Sequence, residues 1–480
     1  MSRAVTTARN LVTSNDDLLS SLEGVECILL EGLCENYAGN LRRSWLAARR
    51  AVTLAQMLGL DRGAKPLSLT GTAIAPDEMW FRVLQFERYL CLMLSLPQSI
   101  CEDSFTSPQA LATRTALERF QRLTCVAAGR LLKRSASEIY DRKTTREIDK
   151  LLQDASAMMP AQWWVSPSSS MSPSRMDKLG DTLRFNDHFM HYHLLVHLHL
   201  PYLLRPRSER ECEYNKMTAV TSSREVLSRL AAFRASHSIG YYCRGVDSLA
   251  SISSTALTLA HIMSDHGRGA DQDGSHFLDH QRLSDRGMLE QNLAIMREIA
   301  SLYNDAIATR AVTLLQHLLS IEEVLASGAA SYQASMVQEP REGGDLGCVT
   351  KLSEDGMVLS IFLPHLGAVK IERQDDSREA TLRATPPIGV SQARNTQRGW
   401  DQPLLSIGGS EGDRISLQSQ QLSSPQATSL VSRDVCENSQ GLSNEAVDLG
   451  SWAIDDVDLG FLDACSFTEG ESGCGELYNL

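Results

Sequence analysis

The chain has 480 residues, 42% of them hydrophobic, with 46 basic and 59 acidic side chains and a formal net charge of −13. That is enough apolar material for a substantial core. The acidic balance withholds the Lys and Arg surplus from which affinity for nucleic acid is drawn, and the absence of any long unbroken apolar run excludes a membrane-spanning helix of the usual length.

Taken from the start, residues 1–15 carry Arg3 and Arg9, several Ser and Thr, and no acid. They are expected to form a flexible N-terminus. Residues 16–327 then read as one helical domain. In GNLRRSWLAARRAVTLAQMLGLDR, Leu41, Trp45, Ala48, Val52 and Ala55 follow 4-3-4-3 spacing, and Ala47, Ala51, Leu54 and Leu58 form a second apolar row beside them. Arg42, Arg49 and Gln56 fall on the opposite side, and Gly59 stands where a left-handed C-terminal residue is expected. The next helix repeats the design: Met79, Val83, Phe86, Leu90 and Met93 make one stripe, and Trp80, Leu84, Cys91 and Leu94 the next. Pro76 and Asp77 mark its start and Pro97 its end. Two adjacent helices buried on wide arcs imply an all-α core of several layers.

Further helices are expected at 110–133 and 135–155. A Ser/Pro loop, VSPSSSMSPSR, follows at 165–175, and helices return at 181–204, 215–235, 242–264 and 285–327. Beyond Ser327 helical periodicity fades and Gly, Ser, Gln and Asp accumulate, so residues 328–480 are read as a mostly disordered tail. Its one ordered candidate is MVLSIFLPHLGAVKIE at 357–372, a hairpin or an interaction segment.

The stretch from Gly39 to Phe105 resembles the regulatory domain, or middle homology region, of fungal zinc-cluster transcription factors. The matching positions are Gly39, Arg43, Trp45, Ala51, Leu54, Ala55, Leu58, Gly59 and Leu60, then Trp80, Glu87, Arg88, Leu94, Pro97, Ile100 and Asp103. One departure is Ser95-Leu96-Pro97, where the family commonly has Gly-Arg-Pro. The resemblance extends more faintly to about residue 325. It implies an all-α regulatory domain, nuclear localisation and a role in transcription, with secondary-metabolite gene clusters as frequent targets of such regulators.

The family's DNA-reading module needs six closely spaced thiolates to share two zinc ions. The eleven cysteines of this chain never approach Cys-x2-Cys spacing. A zinc cluster is therefore expected to be missing, whether by loss or through the gene model. Direct DNA binding is disfavoured, and the cysteines read as small hydrophobes in a reducing compartment.

Two other constellations invite a chemical reading. His193 and His197 are i, i+4 neighbours in NDHFMHYHLLVHLHLPYLL, a spacing suited to zinc, with His188, His191 and His199 nearby. The reading preferred here is an amphipathic helix with Phe189, Leu194, Val196, Leu200 and Leu203 toward the core, since no acid completes an H-E-x-x-H pattern. No nucleophile elbow or phosphate loop occurs, and GRGAD at 267–271 does not complete G-x-G-x-x-G, so neither an enzyme nor a cofactor is expected.

Charge supplies the second positive signal. After Arg433 there is no Lys or Arg, while eleven acids occur. Within the candidate activation segment 445–465, SWAIDDVDLGFLDAC interleaves Trp452, Leu459, Phe461 and Leu462 with Asp455, Asp456, Asp458 and Asp463. Acids keep such apolar groups solvated until a partner groove captures them as an induced helix. Those four apolar residues are the candidate partner-binding set, for a co-activator; a solubilising acidic terminus is the plainer reading. Two functions remain. One is a transcriptional regulator that finds its genes through a DNA-bound transcription factor or as a homodimer, and the other is a helical ligand sensor or inhibitory decoy that sequesters a full-length relative.

Overall fold

The computed structural model describes residues 2–66, 75–101, 103–167, 175–205, 209–236, 244–265, 276–303, 306–337, 350–352 and 358–374. In chain order these give α1 (Ser2–Ala8), α2 (Leu22–Tyr37), α3 (Leu41–Met57), α4 (Pro76–Leu94), α5 (Pro108–Ala112), α6 (Ala116–Lys133), α7 (Arg142–Ser156), α8 (Arg175–His199), α9 (Glu213–Ser236), α10 (Arg244–Asp265), α11 (His276–Tyr303) and α12 (Ala306–Ser327). Four strands follow: β1 (Ser331–Val337), β2 (Thr350–Leu352), β3 (Val358–Leu363) and β4 (Gly367–Gln374).

Helix ends follow local chemistry. Gly59 takes the left-handed φ of +75° after α3, and a Cβ there would lie 2.9 Å from that of Ala64. The segment expected as one helix from 110 to 133 is broken because Thr115 opens α6 with a capping box: its hydroxyl accepts from the Glu118 amide, and Glu118 accepts in return from the Thr115 amide at 2.8 Å. Asp141 caps α7 by accepting from the amides of Lys143 and Thr144. The stretch expected as a single helix over 285–327 is two, α11 and α12.

Helices α2, α3, α4 and α6 share one apolar cluster, in which Val25, Ile28, Leu29, Ala51, Val52, Phe81, Leu84 and Val126 are buried. Ser44 donates to the Gly32 carbonyl at 2.7 Å, where the absence of a side chain lets α2 approach Phe86 and Ala47. A larger cluster joins α8, α9, α10, α11 and α12, with Phe185, Phe189, Phe233, Leu257, Leu293 and Leu315 inside it. Helix α8 lies between this cluster and a third, formed by Leu194 and Leu198 with Ala127, Leu131, Ile148 and Leu152. The amphipathic helix expected within 181–204 is thus corrected: Phe189, Leu194, Val196, Leu200 and Leu203 are buried as anticipated, but so are all five histidines. A helix packed on both sides has no wet face to give them.

Two expectations about chain ends change. Of the expected flexible N-terminus, the described residues 2–15 are held in place, because Arg9 donates to Glu31 at 2.6 Å and also pairs with Glu35, both on α2, and Thr13 is buried. The boundary at 327 cuts through structure too. Strands pair antiparallel in the order β1-β4-β3-β2, with Ala334 opposite Ile371 and Ile371 opposite Leu359. The segment 357–372 therefore contributes a hairpin, β3 to β4. On one face Ala334, Leu359, Ile361, Leu363, Val369 and Ile371 alternate with less buried neighbours and join the large helical cluster. The remaining residues of the predicted tail, including 445–465, lie outside the described residues, as does 168–174 of the Ser/Pro loop.

Because the sheet uses one face as core, truncation in it should loosen all its paired strands. Ile361→Ala is expected to cost about 2–5 kcal/mol in urea unfolding. Hydrogen exchange should quicken across β1, β3 and β4 together.

Candidate functional site

The residues that carry the regulatory-domain resemblance converge on a buried ionic junction. On α4, Glu87 and Arg88 are adjacent and 0% and 1% exposed. Isolated charges in such a place would cost several kcal/mol each, so each must be answered. Glu87 Oε1 accepts from the Ser99 amide at 2.7 Å, from its hydroxyl at 2.6 Å and from Arg49 at 3.1 Å. Arg88 donates to Asp103 Oδ1 at 3.1 Å, to the Cys125 carbonyl at 3.0 Å and to the Ile100 carbonyl at 3.4 Å. Its guanidinium lies 2.8 Å from where a Cβ of Gly129 would stand. Glu and Arg thus hold the Pro97–Asp103 turn against α4 and α6. A parallel junction lies nearer the start of α4, where Glu78 accepts from Arg82 at 2.7 Å and from Arg122 of α6 at 2.6 Å. The first junction explains Glu87, Arg88 and Asp103 of the motif as supports of the fold, whereas Arg43 is exposed on α3.

The departure at Ser95 has a structural counterpart. Ser95 adopts φ +55° at the end of α4, a conformation that glycine takes at no cost. Its hydroxyl accepts from the backbone amide of His365 at 2.8 Å, and His365 Nε2 donates to the Cys91 carbonyl at 2.7 Å. The β3–β4 turn is thereby pinned to the end of α4.

His193 and His197 do come together, with ring centroids 5.4 Å apart, and His365 lies 6.0 Å from His197. Among the described residues, His193 Nε2 and both nitrogens of His197 have no hydrogen-bond partner, and no group of three His, Cys, Asp or Glu has a geometry that holds a metal. Burial, with His365 adding to it, lowers His193 to about 4. Burial and both neighbouring histidines push His197 far below its ordinary value. Neutral imidazoles in an apolar layer are the chemistry this arrangement supports. His199 instead joins Asp149 and Asn215, at 3.3 and 2.8 Å.

A second cluster was not legible as a site. Trp163 and Trp164, in a 3-10 turn (Ala161–Trp164), pack on His188, with centroids 4.4 and 5.4 Å away, and Phe120 stands 5.1 Å from Trp163. Arg229 of α9 lies 4.5 Å over the Tyr192 ring and donates to the Trp164 carbonyl at 2.8 Å and to His188 Nδ1 at 3.1 Å. The adjacent tryptophans before a Ser/Pro loop were the available signal. The cysteines Cys27, Cys34, Cys91, Cys101, Cys125 and Cys212 are free thiols, and burial pushes Cys91 up to about 12 and Cys125 to about 11, which keeps both as neutral hydrophobes. No helix among the described residues is long and apolar enough to cross a membrane. Trp452, Leu459, Phe461 and Leu462 lie outside the described residues.

Comparison with known proteins places this architecture in context. The chain is 36% identical over 401 residues to a dehydrocurvularin biosynthesis regulator of Alternaria cinerariae, covering 81% of this chain and 51% of that protein. It is 37% identical over 412 residues to a dehydrocurvularin biosynthesis regulator of Aspergillus terreus, covering 82% and 54%. The chain is homologous to fungal transcription regulators. Transcription factor eupR of a Phoma species is 42% identical over 216 residues, 43% of this chain and 46% of that protein. The chain spans about half the length of the curated relatives it matches first. No family model matches it, and no solved structure does.

The geometry makes two predictions. Arg88→Met, which strands Asp103 and two carbonyls, is expected to destabilise by about 3–5 kcal/mol in denaturant melts, and Gly129→Ala, which displaces the same guanidinium, by about 1–3 kcal/mol. The two losses should fall short of additive in the double variant.

Acid should also weaken the fold before the carboxylates titrate. Burial, with Arg229 and Arg184, lowers His188 to about 3, and burial with Arg229 lowers His191 to about 4. With His193 and His197, these groups bind protons in the unfolded chain near pH 6.5 while staying neutral when folded. Their contribution is complete above that pH and is lost as pH falls from about 6.5 toward 4, at about 1.4 kcal/mol per group and pH unit. Asp187, raised by burial to about 6 against the pull of Gln121 and Arg82, runs the opposite way. Urea melts at pH 7, 6 and 5 should show a steep fall, and His193→Met/His197→Met should make it shallower.

Proposed function

We propose that this protein is a nuclear transcriptional regulator that controls a gene cluster for a secondary metabolite. The observation that carries this reading is homology along about four-fifths of the chain to two proteins named as regulators of the biosynthesis of a single compound. Relatives named as regulators and transcription factors also favour a non-enzymatic role.

The mechanism we infer divides between two parts. The helical domain, with the Glu87–Arg88 junction at its centre, provides a surface for a DNA-bound transcription factor or for a second copy of itself. The acidic segment 445–465 provides output. Its acids hold Trp452, Leu459, Phe461 and Leu462 accessible in water, and an apolar co-activator groove gains most from Trp and Phe. A net charge of −13 supports a route to DNA through a partner, because phosphate contacts need clustered Lys and Arg.

Fusing the full chain to a foreign DNA-binding domain tests the proposal. Reporter transcription should rise, and the combined Trp452→Ala, Leu459→Ala, Phe461→Ala and Leu462→Ala variant should return it to within about twofold of background. A silent wild-type fusion that lowers the output of a co-expressed relative would replace this reading with that of a decoy.

A further inference from the structure

The Trp163–Trp164 turn is held unusually tightly for a surface loop. Arg184 of α8 donates to the Trp163 carbonyl at 2.7 Å and the Gln162 carbonyl at 2.9 Å, and also to the Val165 carbonyl. His188 Nε2 donates to the Trp163 carbonyl at 2.9 Å, and Arg229 to the Trp164 carbonyl at 2.8 Å. Four successive carbonyls are thus occupied by bases from α8 and α9. The acids that face these bases are Glu225, paired with Arg229, and Asp181, whose field reaches Arg184. Arg184 uses Nε and one terminal nitrogen, Nη2, on these carbonyls.

The residue after this clamp is Ser166, and Pro167 follows it. Val165 is 57% exposed with φ −70° and ψ 132°, and a residue preceding proline is confined to the same extended region. That is the backbone shape a proline-directed kinase needs in its cleft. The Ser166 hydroxyl is buried and has no hydrogen-bond partner among the described residues, so a kinase reaches it only once the side chain turns outward, a rotation that breaks no hydrogen bond. Ser107-Pro108 offers a contrast within the same chain. The Ser107 hydroxyl accepts from the Ala110 amide as the cap of α5, and its backbone is committed to that helix.

We propose that Ser166 is a phosphorylation site for a proline-directed kinase, and that the phosphate, captured by Arg184, locks the tryptophan turn onto α8 and α9. In the transfer, Ser166 Oγ bonds to the γ-phosphorus of ATP as the bridging bond to ADP breaks, and the hydroxyl proton passes to the kinase's catalytic carboxylate. The product carries nearly two negative charges and three acceptor oxygens. Arg184 already reaches the carbonyl one residue away, so a small rotation aims its remaining donors at the phosphate. Among the described residues two guanidiniums and two carboxylates border the turn, so the dianion gains from direct hydrogen bonds to Arg184 and not from a surplus of positive charge. Phosphate at this position therefore strengthens the clamp.

The test uses the full chain with a purified proline-directed kinase and ATP, and maps the product by mass spectrometry. Phosphate is expected on Ser166, absent in Ser166→Ala and retained at Ser166 in Ser172→Ala, which removes the neighbouring Ser-Pro pair. The phosphorylated chain should melt about 3 °C higher, and acrylamide should quench its tryptophans less. Arg184→Gln should take up phosphate but lose both effects. Phosphorus NMR of the wild-type product gives a reading that needs no variant, because pairing with Arg184 moves the phosphoserine titration below its usual midpoint near 6. Phosphate confined to Ser172, or phosphorylation of Ser166 with unchanged or lower melting and an unshifted titration, would overturn the proposal.

Discussion

Everything in the first half of this domain depends on keeping two opposite charges, Glu87 and Arg88, in the interior of one helix. They point to different elements, so their mutual attraction is not what satisfies them. Glu87 must be met by the turn after α4 and by Arg49 of α3, while Arg88 must be met by Asp103 and by carbonyls of the turn and of α6. Burying either charge without these partners would cost more than any single apolar contact returns. The arrangement thus fixes where α3, α6 and the 97–103 turn sit. Gly129 is part of the same constraint, because any side chain there would occupy the place of the guanidinium.

That constraint was visible in sequence only as a resemblance. Periodicity alone placed α3 and α4, predicted their double apolar rows and located Gly59, because these signals are local and repeat with the helical turn. It assigned Arg42, Arg49 and Gln56 to the wet side for the same reason, and Arg49 departs from that assignment by turning back to the buried Glu87. It could not separate Arg88 from a surface arginine, since burial of a charge is decided by partners 15 and 37 positions away. The histidine run shows the same limit: apolar spacing identified the core residues of α8, but a second packed side, supplied by α6 and α7, was not encoded in α8 itself.

The sheet was half legible. β3 and β4 form a hairpin with clear alternation, whereas SYQASMV of β1 is polar enough to pass as tail and becomes a strand because β4 pairs with it. The N-terminal helix was hidden likewise, its order coming from Arg9 reaching α2. In each case a short segment with little propensity of its own is held by one distant partner, and such segments are where reading by composition fails. The candidate partner-binding residues rest on charge and aromatic patterning, a signal of accessibility that does not depend on a packed environment.

The contact between Ser95 and His365 joins residues 270 positions apart. A ribosome emits the chain from its N-terminus, so α4 and α8 exist for some time before the hairpin that covers them has been made. At synthesis rates of about 5–20 residues per second, that interval lasts roughly ten seconds to a minute. During it the core surface awaiting Ile361, Leu363 and Val369 is open to water and to other chains. The domain is therefore expected to complete its packing late, and chaperone demand should concentrate on nascent chains that have passed α8 but not yet released β4.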